Sequence, residues 1–119
     1  MSLTLATSCF AECWKIGELS GYSARASDGY EITKDGLTGK TFFLQVVGEA
    51  SAVVPNDLSC REVSSTSLVC ISTEKARSVV ETWSVDPENG SAFHTKSVSG
   101  YSAFDGANLF VGKILGSCN

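Results

Sequence analysis

Few residues in this chain could do chemistry by themselves, and His94, the one histidine, comes first among them. An imidazole serves as a general base when a seryl or cysteinyl side chain is held against it on a strained turn. Ser91 is close in sequence. However, a serine three positions away on the same strand does not present its hydroxyl to the ring. There is no G-x-S-x-G elbow, and no glycine-rich phosphate loop of either common pattern. A thiol activated by His94 is conceivable for whichever cysteine is unpaired, which leaves a thiol-dependent or hydrolytic enzyme as the weakest expectation. No catalytic residue and no cofactor is assigned. His94 fits better in a binding patch with Glu81, Trp83 and Lys96, where an indole and an imidazole flanked by opposite charges could stack on and hydrogen-bond a polar ligand. The same four residues would equally make a core tryptophan, a cross-strand ion pair and a sheet histidine. Trp14, between Cys13 and Lys15, reads as a plug at one end of the core.

A hairpin must position this patch. Asp86-Pro87-Glu88-Asn89-Gly90-Ser91 has proline to preset φ at the first turn position and glycine to supply the left-handed residue. Val79–Val85 and Ala92–Val98 flank it as strands. A four-residue loop sets Val85 opposite Ala92, Trp83 opposite His94 and Glu81 opposite Lys96, all on one face. Thr73-Glu74-Lys75-Ala76-Arg77 begins like a capped helix, but the β-branched residues that follow favour strand.

Cysteine spacing argues for disulfides. Leu58–Val63 and Ser67–Ile71 read as strands joined by Ser64-Ser65-Thr66, which sets Cys60 opposite Cys70 within bridging range. Cys118 then pairs with Cys9 or Cys13, and Cys13 is preferred. A bridge there would close nearly the whole chain. Cys60 and Cys70 are too far apart to be the second knuckle of a zinc site, so no metal is expected. Five cysteines in 119 residues point to an oxidising, extracytoplasmic compartment, periplasmic or secreted, with one thiol left over.

The remaining chain is rich in short strand signals. Tyr30–Thr33 is a candidate strand closed by Asp35-Gly36 as a turn. Thr41–Val47 is the most apolar segment and reads as a central strand, and Pro55-Asn56-Asp57 as a turn. Asn108–Leu115 is a last strand whose Gly112 could mark a bulge. Ser20-Gly21-Tyr22-Ser23-Ala24 recurs as Ser99-Gly100-Tyr101-Ser102-Ala103, which suggests a duplication or two equivalent strand-to-turn corners. Residues 1–8 lack the basic and apolar regions of a secretory signal and read as a leader or disordered segment. The expected fold is one all-β domain over 1–119, a small antiparallel barrel or sandwich of about seven or eight short strands with room for one short helix.

A net charge of −4 with scattered lysines and arginines gives no footprint for nucleic acid. No apolar run is long enough to span a bilayer. The short-strand meander with cysteine-tied ends resembles small lipocalin-like barrels and bacterial periplasmic inhibitor barrels, without a diagnostic motif of either. The function expected is a non-enzymatic extracytoplasmic binding module for a protein or a small polar or glycan ligand. The alternative is a small-molecule carrier with a lipocalin-like cavity lined by residues such as Phe42, Leu44 and Trp83. Oligomeric state is left open.

Overall fold

The computed structural model describes residues 12–118, and among these the chain forms one antiparallel sheet that curls into a nearly closed barrel. The strands are β1 (Glu12–Arg25), β2 (Thr33–Gly36), β3 (Thr41–Val46), β4 (Ala52–Val54), β5 (Ser59–Ser64), β6 (Ser67–Glu74), β7 (Arg77–Asp86), β8 (Ser91–Ser99) and β9 (Gly106–Ser117). Their spatial order is β4-β3-β1-β9-β8-β7-β6-β5, with β2 also paired to β1. The all-β barrel class is therefore what the sequence predicts. The helical content is three-residue 3-10 turns, at Ala26–Asp28, Gly48–Ala50 and Ser102–Phe104. Thr73–Arg77, the rival helix start, is a hairpin: Glu74 pairs with Arg77 and Lys75 takes φ 59° at the turn.

The β6–β9 meander follows from turn chemistry and alternation. Along β7 the inward residues are Glu81, Trp83 and Val85, and along β8 they are Ala92 and His94, all buried. Trp83, Val85 and Ala92 join Ile16, Leu19, Phe42, Leu44, Val46, Val53, Leu68 and Phe110 in one apolar core. A buried leucine- or phenylalanine-sized side chain stabilises the fold by roughly 1.5–3 kcal/mol, so this cluster is the main force curling the sheet. Cys60 bonds Cys70 across β5 and β6 as the sequence predicts, although Ser64 pairs with Ser67 to leave a two-residue turn and a bulge at Val63 restores the register. Cys13 bonds Cys118 where the start of β1 meets the end of β9. The seam between β4 and β5 lacks a ladder. There the Gly48 N–H donates to Glu62 Oε1 at 2.8 Å.

Several expectations shift. β1 and β9 are long strands of 14 and 12 residues, not short ones. β1 stays continuous because bulges absorb its irregularities. Glu18 and Leu19 together face the single residue Gly112, with Glu18 at φ 54°. Gly112 is thus the residue opposite the bulge, and a Cβ there would lie 2.4 Å from the Gly17 carbonyl oxygen. β2 begins at Thr33, so Asp35-Gly36 lies within a strand and the turn comes after it, where the Lys40 N–H donates to the Leu37 carbonyl. The two Ser-Gly-Tyr-Ser-Ala copies are not equivalent corners. The first lies wholly inside β1, while the second starts at the last residue of β8 and runs into a 3-10 turn. Cys9 and the segment 1–8 lie outside the described residues.

Candidate functional site

The four-residue patch comes together as the sequence indicates, with Glu81 opposite Lys96 and Trp83 opposite His94. Its face points into the barrel. Trp83 and His94 are 2% and 3% exposed. The two rings stack on each other, centroids 3.8 Å apart and planes 24° from parallel, and Phe42 tilts against Trp83 at 5.0 Å. The indole face foreseen for a ligand is therefore covered largely by protein, and His94 is a buried residue.

Polar atoms among these rings are paired with care, as a low-dielectric site demands. Glu81 Oε1 accepts from Trp83 Nε1 and from Asn56 Nδ2, both at 2.8 Å. Lys96 Nζ stands 3.8 Å from Glu81 Oε2. Asn56 Oδ1 in turn accepts from the Leu58 N–H at 2.8 Å. One carboxylate thus anchors the 55–58 loop to the barrel wall. That loop joins the two strands at the open seam, so Glu81 helps hold the barrel shut.

His94 Nδ1 lies 3.1 Å from the Thr82 carbonyl oxygen. A carbonyl only accepts, so Nδ1 carries the proton and Nε2 keeps a lone pair while the ring is neutral. Burial lowers the His94 pKa below its ordinary 6.5, outweighing the hydrogen bond to Thr82 and the charge of Glu81, which raise it. No seryl or cysteinyl side chain among the described residues hydrogen-bonds to the ring. The catalytic pairing considered for His94 therefore has no geometric counterpart there.

Above this cluster the barrel opens into a recess of about 420 Å³. Phe42, Trp83, His94 and Phe110 border it from the core, and Arg25, Asn56, Lys96 and Asn108 add polar groups. Leu44, foreseen as a cavity-lining residue, is instead fully buried in the core. Arg25 and Asn108 form a second polar unit. The Arg25 guanidinium donates to the Ala24 and Ala107 carbonyls and to Asn108 Oδ1. Asn108 is 8% exposed, and its Nδ2 has no protein partner.

Arg25, Asn56 and Asn108 were not among the residues singled out from sequence. They sit on β1, the 55–58 loop and β9, far from the hairpin in the chain. The bulge at Glu18 resets which residues of β1 face inward. β9 carries apolar residues on both faces, so alternation does not mark Asn108. The outer face of the same strands is apolar too: Tyr22, Leu109 and Val111 are each about half exposed. No group of three potential metal ligands occurs among the described residues, and none of their helices is long and apolar enough to cross a membrane. No family model, curated protein or solved structure matches this chain.

Proposed function

We propose that this chain is an extracytoplasmic, non-enzymatic binding module that holds a small polar ligand in the recess at the mouth of its barrel. Two disulfides in a β-scaffold support the oxidising compartment. The observation that carries the reading is the recess itself, a concavity of about 420 Å³ with aromatic residues beneath and polar groups around it. Ligand sites of this kind range over about 300–1,000 Å³ and combine apolar lining with a few placed polar groups. The carrier alternative and the binding-module reading thus converge on one site.

The test is a nuclear magnetic resonance screen of small metabolites, including monosaccharides, organic acids and amides, against the folded protein. Binders should shift the Trp83 indole and the Asn56 and Asn108 side-chain amides. Val79→Trp, which fills the recess from β7, should abolish those shifts while leaving the circular dichroism spectrum intact. Binders that shift only Tyr22, Leu109 and Val111 would favour the second reading, a protein contact through the outer sheet face. The exposed apolar residues there motivate it.

A further inference from the structure

Asn108 Nδ2 is the one recess donor that is buried and lacks a protein acceptor. Its orientation is fixed by chemistry. Arg25 can only donate, so the atom 3.2 Å from its guanidinium must be Oδ1, and Nδ2 must point elsewhere. A buried amide donor without a partner is destabilising, and such groups mark places where an acceptor completes the site. What surrounds it determines which acceptor.

Lys96 on β8 is the cross-strand partner of Asn108 on β9, and Arg25 on β1 bonds the same amide from the other side. Asn108 on β9 therefore sits between the cationic residues Arg25 of β1 and Lys96 of β8. Among the described residues no carboxylate pairs with Arg25. Its backbone and amide bonds hold the guanidinium in place and leave part of its donor set free. The acids bordering the recess are Glu81, Asp35 and Asp57. Glu81 accepts from Trp83 and Asn56 and faces Lys96. Asp35 and Asp57 are exposed, where water and salt screen their repulsion.

We propose that Asn108, Arg25 and Lys96 form a carboxylate seat, and that the ligand is a small organic acid whose apolar body rests toward Phe110 and Phe42. The proposal rests on the recess being the ligand site, and it adds the chemical class. A carboxylate supplies an acceptor for Nδ2 and a counter-charge for Arg25 together, which a hydroxyl or a neutral amide does not. Charge-assisted hydrogen bonds are about twice as strong as neutral ones.

The experiment titrates the folded protein at neutral pH with acids paired to their primary amides: benzoate and benzamide, phenylacetate and phenylacetamide, hexanoate and hexanamide. The expected result is an acid that binds about tenfold or more tighter than its amide, shifts the Asn108 side-chain amide, and weakens as salt is raised. Arg25→Gln, at a partly buried position where an amide can still donate to the neighbouring carbonyls, should reduce that affinity about tenfold and remove its salt dependence. Asn108→Asp should abolish acid binding and spare the amides. Equal binding of acid and amide at the recess would overturn the carboxylate seat and leave the recess reading standing. If no acid binds while a sugar or amide shifts Trp83, the seat is overturned in the same way. If nothing in the metabolite screen or the acid–amide set shifts a recess residue, both fall.

Discussion

Glu81 is the residue whose removal should be felt most widely, because three elements converge on it. Glu81→Ala leaves the Trp83 indole N–H and one amide hydrogen of Asn56 without an acceptor in a buried site. Each orphaned donor costs about 1–3 kcal/mol. The Lys96 contact adds little, since at 3.8 Å with a partly exposed ammonium it is a weak ion pair. The expected loss is therefore about 2–6 kcal/mol, a large share of the roughly 5–15 kcal/mol that holds a domain this size. Urea unfolding followed by tryptophan fluorescence measures it. Trp83→Phe removes one of the two donors, so the double variant with Glu81→Ala should be destabilised by less than the sum of the singles. A coupling of about 1 kcal/mol or more is expected between them. Glu81→Gln keeps one acceptor oxygen and should fall between Glu81→Ala and wild type. A Glu81→Ala variant within about 0.5 kcal/mol of wild type, or strictly additive effects, would refute the buried anchor.

Three further outcomes follow from the same geometry. His94 has a depressed pKa in the folded state, so the unfolded chain binds its proton more readily. Its contribution is constant above the ordinary value of 6.5, and stability falls as pH drops below 6.5 until the folded pKa is passed. Unfolding midpoints at pH 7.5 and 5 should differ for wild type and less for His94→Gln. Replacing Cys13 and Cys118 by serine opens a loop of sequence separation 105 and should cost more than the same change at Cys60 and Cys70, separation 10. Loop-closure entropy gives about 4.7 kcal/mol for a loop of about 100 residues against under about 3 kcal/mol for the short one, readable from thermal unfolding of both variants. Gly21→Ala would place a Cβ 2.0 Å from the Leu109 carbonyl oxygen, whereas Gly29→Ala meets open space at φ 64°. Overpacking should cost the first about 1–3 kcal/mol or more, and left-handed strain the second about 1–2 kcal/mol. Relative melting temperatures should rank them accordingly.

The parts of this fold that were legible in the sequence are those in which a turn sets a register. Asp86–Ser91 closes a hairpin of fixed length, so Trp83–His94 and Glu81–Lys96 follow by counting. Cys60–Cys70 was also legible, although the turn is Ser65-Thr66 and a bulge at Val63 makes up the third residue that was assigned to the loop. β1 was opaque for a physical reason. Its buried side chains Cys13, Ile16, Leu19 and Ser23 break strict alternation: the bulge at Glu18 flips strand parity between Ile16 and Leu19, and Cys13 lies on the face opposite Ile16, across from Gln45 and bonded to Cys118. A left-handed Glu18 is invisible to any propensity argument, because glutamate rarely adopts that conformation. Barrel closure was also hidden. Facing of the Glu81 patch was legible as a single face, but whether that face looked inward depended on β1, β3 and β4 completing the curl. Hence Asn56, Arg25 and Asn108, brought in by those distant elements, had no local signal, and a pair of rings read as a ligand platform packs mostly on itself.

If the barrel mouth is a ligand site, the side-chain amide and indole resonances of the folded protein will report it. On addition of a small-molecule panel, saturable shifts confined to Trp83, Asn56 and Asn108 are expected, and they should disappear in Val79→Trp. A panel that leaves those resonances unmoved, or moves them equally in Val79→Trp, would contradict a ligand site there.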